Sequence, residues 1–441
     1  MRIGALRGES RRAYNTTPVP GRLKASQRQA HGFYGAAEPK FGQYPRPISM
    51  LCSGVEIRGS QPGHERAMPD SPSPKNGVRY SPLAQQFADP EPILNDIRKL
   101  VASGDFTLGK VVGEFETMFA TMLGVKHAIG VGSGTDALKI SFKAAGLGPG
   151  DEAITPANTF WATVGALAEI GAKPVFVDCG DVFGMDLDKI EAAITPRTKA
   201  IIPVQLTGDV IDMPRLMAIA KARNLVVIED ACQSLMGEWD GRKAGTFGLA
   251  AAFSMHPLKI INVWGDAGII VTDDDEMDRR CRLLRNHGLK TRDEMSIYGY
   301  NSRLDSLQAV VGKHMLPQVP GWVEKRIANA AYYDRAFAGL RGVHIPPRNP
   351  HTKNVYLLYI LFAERRDALL AHCLAHGIEA KVHYPIPLYR QEALQHLGYK
   401  LGDFPVADRH ARETITFPVD QYLTRQDFDY VIDVVRRFYR S

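Results

Sequence analysis

The chain has no run of about 18 consecutive apolar residues, the length a helix needs to cross a bilayer. Its opening segment also lacks the apolar stretch of a secretory signal. A membrane span is excluded on this reading, and a cytoplasmic location is expected. Cysteine is scarce: Cys52, Cys179, Cys232, Cys281 and Cys373 are five in 441 residues, never spaced CxxC. Neither a disulfide framework nor a zinc ribbon is signalled, and no metal site is expected. The body of the chain also lacks an excess of either charge. The net charge is +6, but residues 1–79 hold 13 basic and 5 acidic side chains, leaving 41 basic and 43 acidic for the remainder. A near-neutral body with a basic head does not look like a nucleic-acid-binding domain, which would carry a basic stripe on a folded face. With 45% hydrophobic and 23% charged residues, the whole is neither disordered nor collagen-like. Its length suits two to three domains at about 100–200 residues each.

Residues 1–79 contain ten Gly, nine Pro and only eleven residues drawn from Val, Ile, Leu and Phe. Such a segment buries too little to offset its ordering entropy, so a disordered basic extension is expected. It reads as a targeting peptide, a flexible arm or, preferably, translation from an early start, because Met50 and Met68 lie inside it.

From about Ser81 the texture changes. Ile93, Leu94, Ile97, Leu100 and Val101 recur at helical spacing before Gly104, and Val112, Phe115, Phe119 and Met122 do so before Gly124. Strand-like runs follow as HAIGV, EAIT, KPVFVD, KAIIPV, LVVIED, AAFSM and GIIVT, separated by helical patterns such as DALKISFKAAG, WATVGALAEIG and MPRLMAIAKARN. Unbroken apolar strands alternating with helices predict an α/β domain, residues 80–325, with a mostly parallel sheet covered on both faces. Beyond it, the helical VEKRIANAAYYDRAFAGL, strand VYLLYILF, helix RRDALLAHCLAHG and strand IEAKVHY predict a smaller α+β domain, residues 326–441. Its last helix places Phe428, Val431, Ile432, Val435 and Phe438 on one face.

Three motifs carry chemistry together. GSGTDAL, residues 132–138, joins a strand to a helix, where small residues and free N–H groups favour an anion; alone it equally describes a plain helix start. LVVIEDACQ, residues 225–233, brings Glu229, Asp230 and Gln233 to a strand's carboxyl end, where ligands sit in open α/β sheets; alone, Asp230 is equally a helix cap. FSMHPLKIINVWGDAG, residues 253–268, sets Lys259 in apolar surroundings, which lower an amine's pKa and make it a nucleophile; alone, a lysine is usually a solvated surface residue. An anion cradle, a strand-end carboxylate and a downstream lysine are the parts that pyridoxal 5′-phosphate requires: a phosphate site, a partner for the pyridine nitrogen and a Schiff-base amine.

From about Asp89 to Arg440 the chain resembles the DegT/DnrJ/StrS sugar aminotransferases, a branch of the fold-type I pyridoxal-phosphate enzymes. The resemblance rests on GDFTLGKVVGEFE, GVGSGTDAL, LGPGDEAITPANTFWAT, PVFVD, TPRTKAIIPVQLTG, VIEDACQS, FSMHPLK, GDAGIIVT, RNHGL, GYNSRLDSLQAVVG and HYPIPLY, in that order. It implies a large domain with a seven-stranded sheet, a small C-terminal domain and a homodimer with shared active sites. Carried over residue by residue, it makes Lys259 the Schiff-base lysine and proton carrier, and Asp230 the partner of the pyridine nitrogen. It places Gln233 near the ring hydroxyl and Phe160 stacked on the ring, with Trp161 as the fallback. Gly134, Thr135 and Ser254 would hold the phosphate, and Asn301 would reach it from the neighbouring subunit. His287, Arg303 and His383 match positions near the substrate. The segment IINVWGDAG departs from many relatives, which puts the substrate rather than the cofactor in question.

The implied activity moves an amino group from glutamate to a keto sugar, nucleotide-linked, for amino-sugar or polysaccharide biosynthesis. A keto-cyclitol or aminohydroxybenzoate-type member is an alternative. A sugar dehydratase of this fold would carry histidine in place of Lys259, which makes His256 a register check. The scattered cysteines argue against the iron–sulfur dehydratases. A non-catalytic cofactor-binding regulator is the reading from another class.

Overall fold

The computed structural model describes residues 77–180 and 182–440. Seven strands make the main sheet: β1 (His127–Val131), β2 (Glu152–Pro156), β3 (Lys173–Val177), β4 (Thr198–Ile201), β5 (Val226–Asp230), β6 (Ala250–Ser254) and β7 (Gly268–Thr272). Their spatial order is β1-β7-β6-β5-β4-β2-β3. Only β7 is antiparallel to its neighbours, so the sheet is mostly parallel.

The apolar runs are unbroken because both faces are covered. Side chains alternate across a strand, and here successive residues enter different cores: Val227 one and Ile228 the other, Ile269 and Val271 one and Ile270 the other. A strand with one wet face would alternate apolar with polar residues instead. The helix Gly134–Ala144 covers β6 and β7, and its Ala137, Leu138, Ile140 and Phe142 are buried.

A second sheet, antiparallel in order β8-β9-β10, comprises β8 (Val343–His344), β9 (Tyr359–Ala363) and β10 (Thr414–Phe417). It packs with the helices Arg366–Ala375 and Arg425–Arg440 around Tyr333, Tyr359, Phe417 and Phe428. The helix Val319–Phe337 spans the expected 325/326 boundary. Its Val319, Trp322 and Val323 enter the main core, while Ala330, Tyr333 and Phe337 enter the second.

Two sequence expectations are corrected. IEAKVHY is not a strand: Ile378 makes an isolated bridge to Val78, and Lys381 one to Thr416. Its two sides have different partners over one residue each, so no ladder propagates. The extension expected over 1–79 lies outside the described residues as far as 76, but its last residues are held. Val78 is 1% exposed; its N–H donates to Gly377 O at 2.9 Å and its carbonyl accepts from Glu379 N at 2.9 Å. Among the described residues, Cys179, Cys232, Cys281 and Cys373 are free thiols. Among the described residues, no helix is long and apolar enough to cross a membrane.

Candidate active site

Register places the three motifs in one row. Val131 pairs with Gly268, and Gly268 with Ser254; one strand further on, Asp230 pairs with Ala252. The carboxyl ends of β1, β5 and β6 and the start of β7 therefore meet at one edge, where ligands sit in open α/β sheets.

Ser133 caps the helix Gly134–Ala144, its Oγ accepting from Asp136 N at 3.0 Å. The first N–H groups of that helix have no intrahelical acceptor and carry the positive end of its dipole. Close packing makes the loop a cradle. A Cβ on Gly134 would lie 2.7 Å from Ser254 Cβ and 3.2 Å from Cys232 Sγ, and one on Gly268 would lie 2.2 Å from Ser133 O. Gly132 N donates to Ser302 Oγ at 3.1 Å. An open groove of about 680 Å³, lined by Thr135, Lys139, Trp161, Gly165 and Glu169, adjoins it.

Alternation along β5 sends Glu229 and Asp230 to opposite faces. Glu229 is consumed structurally: Oε1 accepts from Phe247 N at 2.8 Å and Gly248 N at 3.0 Å, and Oε2 from Gly245 N at 2.9 Å. Asp230, 5% exposed, faces the site. Its Oδ2 accepts from Thr163 Oγ1 at 2.7 Å, and its Oδ1 from Cys232 N at 3.2 Å. Because Thr163 donates to the carboxylate, its contact with Thr159 Oγ1 at 3.0 Å must be one it accepts. The hydroxyl chain thus ends on Asp230 and orients its carboxylate as a partner for a cation.

Beyond β6 the backbone hooks back. His256 N donates to Ser254 Oγ at 3.4 Å, Leu258 N to His256 Nδ1 at 3.1 Å, and Lys259 N to His256 O at 2.8 Å. The hook commits His256 locally and carries Lys259 inward. Burial lowers the Lys259 ammonium pKa, opposed by nearby Cys232 and Asp230. The next residues, Ile260, Ile261 and Val263, are buried. Asn262 Nδ2 donates to Gln86 Oε1 at 2.9 Å, and Trp264 meets Phe87 edge-on at 5.5 Å. That departing segment is pinned by residues near the described N-terminus.

Gln233 has a fixed amide orientation. Its Oε1 accepts from Thr207 N at 2.9 Å, so Nε2 is presented as a donor, with Tyr384 OH at 3.4 Å. Burial raises the pKa of that phenol and keeps it neutral. The rings of Phe160 and Trp161 lie 4.2 Å apart and 6.1 and 6.4 Å from Tyr384. Phe160 is the less exposed of the two, at 36% against 58%. His383 Nδ1 is paired with Thr416 Oγ1 at 2.8 Å. Burial, with Lys381 and Lys259 nearby, lowers the pKa of its imidazole to about 4, so it is neutral at pH 7.

Gly134, Thr135, Phe160, Asp230, Gln233, Ser254, Lys259 and His383 are thus gathered around one edge of the main sheet. His287, Asn301 and Arg303 form a second group. Asn286 and Asn301 make an antiparallel bridge, and Arg303 Nη1 donates to Asn286 Oδ1 at 3.1 Å. His287 and Asn301 are exposed, turned outward while the intervening Ser302 touches the cradle. Sequence reasoning missed Thr163, Cys232, Thr207, Tyr384 and Ser302. All five lie inside motifs already singled out, but nothing in those motifs says which residue touches which.

The residues suit pyridoxal phosphate: a cradle that one methyl group would fill, a buried carboxylate, an amine of lowered pKa and an oriented amide donor. Asn158 Nδ2, buried in the same segment as Phe160, has no hydrogen-bond partner among the described residues. Comparisons with known proteins agree. The family model described as the DegT/DnrJ/EryC1/StrS aminotransferase family matches residues 88–436. A pleiotropic regulatory protein of Geobacillus stearothermophilus is 41% identical over 81% of this chain and 97% of its own. The dTDP-3-amino-3,4,6-trideoxy-alpha-D-glucose transaminase of Micromonospora megalomicea is 38% identical over 81% and 97%. The crystal structure of S. venezuelae DesV in complex with a ketimine intermediate is similar with a TM-score of 0.81 and 36% identity, covering 83% of this chain and all of that one.

Proposed function

The chain belongs to the DegT/DnrJ/EryC1/StrS aminotransferase family, and from that premise we propose that it moves an amino group from glutamate to the keto carbon of a nucleotide-linked sugar, with pyridoxal phosphate bound through Lys259. The observation that carries the reading is the meeting of Lys259, Asp230 and the Gly134 cradle at one sheet edge. The transaminase and aminotransferase names of relatives that act on dTDP- and UDP-linked sugars support the substrate class.

When bound, the cofactor supplies a carbonyl that captures amines and a ring that draws electrons from the adjoining carbon. The rest is the work of the chain. The helix start at Gly134 and Thr135, with Ser254, holds the phosphate. Asp230, steadied by Thr163, stabilises a protonated ring nitrogen. Gln233 Nε2 would donate to the ring hydroxyl, and Phe160 would cover a ring face. Lys259 Nζ, lowered in pKa by burial, would serve as the group that gives up and takes back a proton at the substrate carbon. Asn301, exposed on its own chain, would reach the phosphate held by a second copy, as the resemblance implies, so the active unit would be a homodimer. Exposed Met295, Ile297 and Tyr298 beside it suit such an interface. His287 and Arg303 flank the acceptor from the same loop.

The dehydratase alternative is disfavoured by the hook that commits His256 to Leu258 N while Lys259 sits near Asp230. The regulatory name of one relative keeps the non-catalytic reading in view.

The test is to load the protein with pyridoxal phosphate, follow its visible band on adding glutamate, and measure 2-oxoglutarate. Stoichiometric 2-oxoglutarate, followed by parallel initial-rate lines with a keto sugar, is the expected result. A band indifferent to glutamate would overturn the reading.

A further inference from the structure

Tyr80 lies about 180 residues before Lys259, in a stretch without a sequence signal, yet the fold brings it to the substrate side of the site. The bridge of Val78 to Ile378 delivers it, and Tyr80 N donates to Glu379 Oε2 at 2.9 Å. Arg79 pairs with the same carboxylate through Oε1 at 2.6 Å. Beyond this clamp the Tyr80 ring lies under the Lys381 ammonium, 4.2 Å from its centroid, and 6.0 Å from the His383 ring. Its hydroxyl end is near enough to Arg326, Tyr384 and Asp420 to be perturbed by each.

The side chains of Lys381 and His383 leave the same stretch two residues apart. His383 is tethered by Thr416 at Nδ1, which leaves Nε2 for a ligand, while Lys381 is anchored through its backbone to Thr416. An aromatic ring favours a cation on its face. Tyr80 therefore holds the Lys381 ammonium on its own face.

We propose that Tyr80 is a positioning residue for the keto-sugar acceptor: its ring holds Lys381 in place and walls His383, so that the imidazole and the Tyr384 phenol face the sugar hydroxyls. The inference rests on the acceptor reading above and deepens it. Neutral donors and acceptors suit sugar hydroxyls better than the carboxylates of glutamate, so Tyr80 should matter to one half-reaction and not the other.

The experiment compares Tyr80→Ala and Tyr80→Phe in the full-length, cofactor-loaded protein. The glutamate half-reaction is followed by the visible band and acceptor kinetics with a keto sugar. Reaction of His383 with diethyl pyrocarbonate is followed by peptide mass. In Tyr80→Ala the acceptor KM should rise about tenfold, the equivalent of the lost ring contact. The acceptor kcat and the glutamate half-reaction should stay within about twofold. Carbethoxylation of His383 should accelerate several-fold, and Tyr80→Phe should restore both readouts. Unchanged KM with unchanged His383 reactivity overturns the proposal. So does an equal loss in both half-reactions, which would mark a structural role. If no keto sugar is accepted by the wild type, the acceptor reading fails, but the labelling rate still decides whether Tyr80 walls His383.

Discussion

Thr163 Oγ1 donates to Asp230 Oδ2 at 2.7 Å, joining the start of one helix to the end of a strand 67 residues away. The bond fixes one oxygen of a buried carboxylate and leaves its charge for the site. Replacing Thr163 by Val removes the donor without changing the shape. A buried carboxylate short of one partner loses about 1–3 kcal/mol. Pyridoxal phosphate affinity, measured by equilibrium dialysis, is expected to fall about tenfold, and Asp230→Asn is expected to lose far more in turnover than in affinity.

Lys259→Ala is expected to abolish turnover and let the cofactor dialyse away. The pH dependence is equally specific. Burial lowers the Lys259 pKa, so the reactive neutral amine accumulates at lower pH than an ordinary lysine allows, and capture of pyridoxal phosphate by the apoprotein should have its midpoint below the ordinary lysine value. Asp230 opposes the shift; Asp230→Asn should move the midpoint further down. Stopped-flow absorbance across pH reads both.

Gly134→Ala tests the cradle. The new methyl group would press on Ser254 Cβ at 2.7 Å and Cys232 Sγ at 3.2 Å. Overpacking of this kind costs about 1–3 kcal/mol. A lowered melting temperature and weakened phosphate binding are expected together, read by calorimetry with and without pyridoxal phosphate. Gly165→Ala, inside the helix Ala162–Glu169 where a Cβ meets nothing within 4 Å, should leave phosphate binding unchanged and raise the melting temperature slightly, because alanine favours a helix interior over glycine.

His383 ties stability to pH. Its imidazole pKa falls from 6.5 to about 4 in the fold, chiefly through burial. Between those values the unfolded chain binds a proton that the folded one does not, so this contribution is present above about pH 6.5 and is lost as pH falls towards 4. Urea melts between pH 7 and 4.5 should show the decline, and His383→Gln should flatten it. An identical slope in the variant would exclude His383 as the group responsible.

Much of this protein is legible in its sequence. The strands of the main sheet announced themselves because burial on both faces demands unbroken apolar runs, as in LVVIED and GIIVT. Asp230 and Lys259 stood out because a carboxylate ending an apolar strand, and a lysine soon after another, are residue types that burial alone would not select. IEAKVHY misled because its apolar alternation comes from burial between two single-residue bridges, which leave the same trace in sequence as a ladder.

What the chain itself determined is therefore local: residue type, spacing and period settle which segments are strands, which turns are free of bulk and where reactive groups leave the backbone. Contact between distant segments was decided only by the tertiary structure. Register across β1, β7 and β6 sets Gly134 against Ser254; helix placement sets Thr163 on Asp230; the bridge at Val78 brings Tyr80 beside His383. None of these pairs has a spacing that local periodicity can encode, because each depends on how whole elements pack and on how the chain returns to meet itself.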